Sequence, residues 1–185
     1  MRITLELDSA DIERFYAALA RVRRTTRCAD ELEVIDAAKY ALDHLDAATT
    51  PAYVRTRLVE VQRLLVMLED DAWALADPER ADVIETLAYF SDPEDLIPDH
   101  IEVVGLLDDA IMLELLLRRL HHVRRAYADF RKFRSSLGGI ADGAEGRCQR
   151  ARELADRRAV LHARMRRRRV KGVIDRCDLK SSPFA

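Results

Sequence analysis

Six apolar residues, Leu116, Leu120, Val123, Tyr127, Phe130 and Leu137, recur at offsets of 0, 4, 7, 11, 14 and 21. Steps of three and four keep side chains on one side of a helix with 3.6 residues per turn, so this segment predicts an amphipathic helix with one buried stripe. Arg118, His122, Arg125, Asp129 and Lys132 fall on the other side and supply a solvated face. The helix is expected to start beyond Gly105 and run unbroken to Gly138-Gly139, where glycine can take the left-handed conformation that ends helices.

The same spacing organises most of the chain. Asp8 or Ser9 caps a helix carrying Ile12, Phe15, Tyr16, Leu19 and Val22, and a helix after the turn RRTTR carries Leu32, Ile35, Leu42 and Leu45. Thr50-Pro51 starts another, with Val54, Leu58, Val61, Leu65, Leu68 and Ala72 on its apolar side and Trp73 as a core residue near its end. Asp77-Pro78-Glu79 reads as a further cap-plus-proline start, leading into Val83, Leu87 and Phe90. Asp142 and Glu145 form a capping-box signature for a last helix, whose stripe of Ala151, Leu154, Ala155, Leu161 and Met165 is thin. The tail from Arg166 is expected to be irregular. Only residues 1–7 alternate, with Ile3, Leu5 and Leu7 opposite Arg2, Thr4 and Glu6, as a short strand would. The fold expected is therefore mainly α, an irregular multi-helix bundle with a short N-terminal β-strand. Residues 1–140 would form an acidic helical domain, and residues 141–185 a basic helix and tail belonging to it or extending from it.

The net charge of −2 conceals a division. Residues 1–117 hold 26 acids against 11 Lys and Arg, and residues 118–185 hold 20 Lys and Arg against 7 acids. Two such parts attract each other, within one chain or between two copies, so a homo-oligomer or a protein partner is expected. The alternative is an outside polyanion, either nucleic acid or the surface of an anionic membrane, met by Arg164, Arg166, Arg167, Arg168, Arg169 and Lys171. Complementarity is favoured, because the acidic part would repel the same polyanion at short range.

No run reaches the roughly 18 apolar residues of a membrane-spanning helix. The longest candidate, AIMLELLL, is broken by Glu114 and meets Arg118 and Arg119. The first residues are acidic and polar too early for a secretory signal. Cys28, Cys148 and Cys177 are odd in number and widely separated, with no CxxC pair, as suits a reduced, cytoplasmic protein.

Signatures of common chemistry are sparse. The chain has no phosphate-binding glycine loop, no nucleophile elbow and no His pair at metal-ligand spacing on a helix. His121 and His122 would diverge by about 100° on a helix. His44, among acids, and His162, in the basic helix, are expected to be solvated. The three cysteines lack an activating arrangement.

Residues 89–109, YFSDPEDLIPDHIEVVGLLDD, contain seven acids and no Lys or Arg. Asp92-Pro93-Glu94-Asp95 resembles a cap, a first-turn proline and two acids favoured by the helix dipole. Asp99 and Glu102 have capping-box spacing. Asp108 and Asp109 lie among residues that favour burial, where a carboxylate needs a partner: an arginine, amides at a helix start, or a cation. A hard ion such as Mg²⁺ or Ca²⁺ would take oxygen ligands from Asp95, Asp99 and Asp108 or Asp109. No other cofactor is implied.

The same segment resembles the YkvA-like family of uncharacterised bacterial proteins. Tyr89, Pro93, Asp95-Leu96-Ile97-Pro98-Asp99, Gly105 and Leu107-Asp108-Asp109 carry the likeness, within a motif segment spanning residues 83–120. The N-terminal LELDSADIERF also looks like the opening of soluble relatives. The resemblance implies a helical unit without an assigned reaction. Many relatives have a more apolar segment and are described as membrane proteins, whereas Glu94, His100 and Glu102 stand at apolar or proline positions here.

The leading expectation is a non-enzymatic helical module acting by protein association. One alternative is a divalent-metal enzyme or sensor built on Asp95, Asp99, Asp108 and Asp109. Another is nucleic-acid binding, through the arginine-rich run or through a ribbon-helix-helix arrangement of residues 1–45. That region holds 9 acids and 7 Lys and Arg, the wrong balance for phosphate.

Overall fold

Asp30 starts the first fully described helix. Its backbone is extended, and its carboxylate accepts from the amide of Leu32 at 3.3 Å. Glu31 and Glu33 follow in the first turn, where the helix dipole favours acids. The computed structural model describes residues 30–45, 50–91, 107–138 and 143–180, with further helical positions at 13, 17, 20, 21 and 24. For Tyr53, Leu107, Asp108, Asp109, Met112 and residues 170–180 it describes the backbone. Among these residues there are six helices and no strand: α1 (Glu31–His44), α2 (Ala52–Leu68), α3 (Glu79–Phe90), α4 (Leu107–Arg119), α5 (His121–Ser136) and α6 (Gly143–Lys180). The protein is mainly α. The strand expected over residues 1–7, and the apolar stripe from Ile12 to Val22, lie outside the described residues.

The chain divides into two compact units, one of Met1–Val66 with Ala76–Arg118, the other of Met67–Leu75 with Arg119–Ala185. In the first, α1 packs on α3. Val34, Ile35 and Ala38 of α1 are buried, as are Val83, Ile84 and Leu87 of α3. Leu32, expected on the buried stripe, is instead 65% exposed, because the stripe centres on Val34, Ile35 and Ala38. Arg80 donates through Nε to Glu31 Oε2 at 3.0 Å and joins the starts of the two helices. Pro78 occupies the N-cap of α3 without a side-chain cap, so Asp77 does not play the capping role its sequence suggested. Glu114 accepts from Arg57 of α2 at 3.1 Å and from Arg118, one turn along α4, at 2.8 Å. The acid that interrupts AIMLELLL is thus ion-paired.

In the second unit α5 and α6 form an antiparallel hairpin. Arg150 donates to the Gly138 carbonyl at 2.7 Å, the Arg157 guanidinium lies 5.5 Å from the Phe133 ring, and Arg164 pairs with Asp129. Gly138, just beyond α5, has φ of +74°, which glycine tolerates without a Cβ clash. The buried apolar side chains of this unit include Val123, Tyr127 and Phe130 from α5, Leu161 and Met165 from α6, and Trp73.

Two expectations are corrected by the backbone. The stripe from Leu116 to Phe130 is buried, but it belongs to two helices broken at Leu120. The amides of Val123 and Arg124 both bond to the Leu120 carbonyl at 3.0 Å, so the second helix begins immediately. The tail is not irregular over residues 166–180, where α6 continues to Lys180, and residues 181–185 lie outside the described residues. Residues 166–180 contain no proline and only Gly172, whose cost of about 1 kcal/mol does not stop a helix already propagating.

Candidate functional site

The densest polar arrangement described lies in the second unit, around Asp70. Residues 70–74 form a turn after α2, with the amides of Trp73 and Ala74 both donating to the Asp70 carbonyl at 2.9 Å. The Asp70 side chain caps the same turn, accepting on Oδ1 from the amides of Ala72 at 3.2 Å and Trp73 at 3.3 Å. Arg134 Nη1 reaches Oδ1 at 2.9 Å and Oδ2 at 2.8 Å, and the Tyr127 hydroxyl donates to Oδ2 at 2.9 Å. With these partners the carboxylate is saturated and only 9% exposed. Burial, followed by the adjoining Asp70 carboxylate, raises the Tyr127 hydroxyl above its ordinary value. This carboxylate is a clasp: it fixes residues 67–75 to α5 and leaves no lone pair facing a substrate.

Beyond the clasp, Trp73 is fully buried, with ring centroids 5.7 Å from Tyr127, 5.1 Å from Phe130 and 4.5 Å from His162. His162, expected to be solvated, is 8% exposed and meets the indole at 89°. The reason is its phase on α6, between Leu161 and Met165 on the buried stripe. Burial, reinforced by Arg158 and Arg166, lowers its pKa from the ordinary 6.5. Arg158 also donates to the Ala72 carbonyl at 3.3 Å, so α6 holds the turn from a second side.

The predicted basic residues separate into two groups. Arg164 pairs with Asp129, and its hydrogen bond holds that carboxyl below the usual range. Arg166, Arg167 and Arg168 are exposed, Arg169 is half-buried, and Lys171 continues the helical backbone. Three consecutive arginines spread around α6 by about 100° each, so they form a charged collar and not a flat patch. The second unit carries 19 Lys and Arg against 10 acids, a net of +9, and the first carries 12 against 23, a net of −11.

Of the predicted acids, only the backbone of Asp108 and Asp109 is described. Asp95 and Asp99 lie outside the described residues. Asp108 and Asp109 follow Leu107 in the first turn of α4. Carboxylates are favoured there by the aligned backbone dipoles. Among the described residues, no three His, Cys, Asp or Glu side chains are placed to hold a metal ion. No described helix is long and apolar enough to cross a membrane. His44 is exposed, stacked on Tyr40, and Cys148 is exposed.

Asp70, Arg134, Tyr127 and His162 were not singled out as a group by sequence. Asp70 is 57 residues from Tyr127 and 64 from Arg134, and only the fold joins them. His162 could have been found from its phase, three residues before Met165 and next to Leu161.

Against known proteins, residues 83–115 match a family described as "Protein of unknown function (DUF1232)". No curated protein and no solved structure matches. Residues Tyr89 to Asp109 of the resemblance fall within the matched stretch, whereas the N-terminal LELDSADIERF and residues 116–120 lie outside it.

Proposed function

We propose that this chain is a non-enzymatic helical interaction module of the cytoplasm, which associates through opposite charges, in the first instance with a second copy of itself. The observation that carries this reading is the exposed collar of Arg166, Arg167 and Arg168 on a unit of net +9, in a chain whose other unit is −11. Complementary fields of this kind steer encounter and set register, and they are screened by salt. The saturated Asp70 clasp supports the same reading, since the best-organised polar group described is spent on holding the fold. We read residues 83–115 as the segment of a YkvA-like protein, on the strength of the DLIPD, Gly105 and LDD elements inside it. Sedimentation at increasing ionic strength tests the function: an oligomer at low salt should dissociate as salt rises, and a monomer at every ionic strength would contradict it.

A second reading follows from the same collar. Exposed arginines on a helix also suit the phosphates of a nucleic acid, whose binding would weaken steeply with salt. Retention of a labelled duplex or single strand at low salt, released at high salt, would favour this reading over self-association.

A further inference from the structure

His162 is the only described histidine in the core, and it is placed where a charge would be poorly tolerated. Its ring stands edge-to-face with Trp73 at 4.5 Å, and its helical neighbours Leu161 and Met165 are buried. Neither His162 Nε2 nor Trp73 Nε1 has a hydrogen-bond partner. A proton taken up at Nε2 would therefore add a buried, unpaired N–H and a positive charge together.

The charges around it do not compensate. On α6 itself, Arg158 and Arg166 stand one turn before and one turn after, both positive. On the turn of residues 67–75, Glu69 and Asp71 are exposed, and Asp70 is engaged by Arg134 and Tyr127. On α5, Asp129 is engaged by Arg164, Arg131 and Lys132 are exposed, and the Tyr127 hydroxyl donates a hydrogen bond to the Asp70 carboxylate. Among the described residues no carboxylate pairs with His162.

Two different chemistries thus hold residues 67–75 in the hairpin. The α5 side joins an ion pair with hydrogen bonds, through Asp70, to ring contacts of Trp73 with Tyr127 and Phe130, neither of which titrates in mild acid. The α6 side is an aromatic contact through His162, with one hydrogen bond from Arg158. We propose that His162 is a proton-operated latch: the neutral ring seats α6 on Trp73, and uptake of one proton unseats α6 while α5 keeps its hold on the turn. A histidine whose folded pKa lies below its unfolded value stabilises the native state above about 6.5, and that contribution is lost as pH falls through the lowered value. The latch is closed at neutral pH and opens in mild acid. It is independent of what the module binds.

The chain has one tryptophan, so emission from the full-length protein reports on the surroundings of Trp73, and His162→Phe isolates the part due to the imidazole. Titration from pH 8 to pH 5 should give a reversible, one-proton red shift with its midpoint below 6.5. His162→Phe keeps an aromatic edge without a titrating nitrogen and should abolish the step, whereas Asp70→Asn should retain it. Should His162→Phe fail to fold, the ring-proton shift of His162 in the native protein gives the midpoint directly by NMR. A midpoint at or above 6.5, an emission that stays constant to pH 5, or an undiminished step in His162→Phe would each overturn the proposal.

Discussion

Arg134 grips both oxygens of Asp70 with a single nitrogen, Nη1, at 2.9 and 2.8 Å, across 64 residues of sequence. Because Asp70 also caps its own turn and accepts from Tyr127, three elements lose a partner when this carboxylate is removed. The clasp explains why a nine-residue stretch, Met67–Leu75, belongs with α5 and α6 and not with the residues on either side of it.

Asp70→Ala should lower unfolding free energy by about 2–4 kcal/mol, the range for breaking a mostly buried, multiply bonded ion pair with one partner part-exposed. Tyr127→Phe should cost about 1 kcal/mol, because it removes one hydrogen bond and keeps the ring. Urea denaturation of both variants and their double mutant measures this. The two changes should be less than additive, as expected of residues that share a bond.

Leu120 is 1% exposed and stands at the break between α4 and α5. Leu120→Ala should destabilise the protein by about 2–5 kcal/mol through lost burial and the cavity left behind. A chemical melt showing less than about 1 kcal/mol would mean that this residue does not anchor the break.

The acid limb of stability should depend on Glu114 and Asp129. Hydrogen bonds from Arg118 and Arg164, respectively, hold these carboxyls below their ordinary values of 4.5 and 3.8. Depressed carboxyls contribute stability above those values and lose it as pH falls through the folded ones. Melting temperatures recorded from pH 6 to pH 2 should fall less steeply for Glu114→Gln and Asp129→Asn than for the native chain. The difference should be small, since both ion pairs are partly exposed.

Periodicity made the helices legible. The stripes of α2 and α3 are buried where spacing placed them, at Val54, Val61, Leu65, Leu68, Val83 and Leu87, and Trp73 is core. The break at Leu120 was not legible, since neither glycine nor proline marks it and the apolar phase continues across one non-helical residue. The length of α6 was missed for a related reason: arginine-rich sequence without an apolar stripe reads as tail, although arginine itself favours helix. At the candidate site, Asp108 and Asp109 stand in the first turn of α4, a helix start that neither glycine nor proline immediately before them marks in sequence. The Asp70 clasp depends on long-range pairing, to which local patterns are blind.

Replacing Arg166, Arg167 and Arg168 together by Ser should change stability by no more than roughly 0.5 kcal/mol per substitution, as expected for exposed residues. Their loss should act on association instead. The most direct measurement is therefore sedimentation equilibrium of the native chain and this triple variant, side by side at low and high salt. The native chain should self-associate at low salt and dissociate at high salt, with the variant monomeric in both. Equal association of the two proteins, or a native chain that is monomeric throughout, would contradict an interaction module that works through its arginine collar.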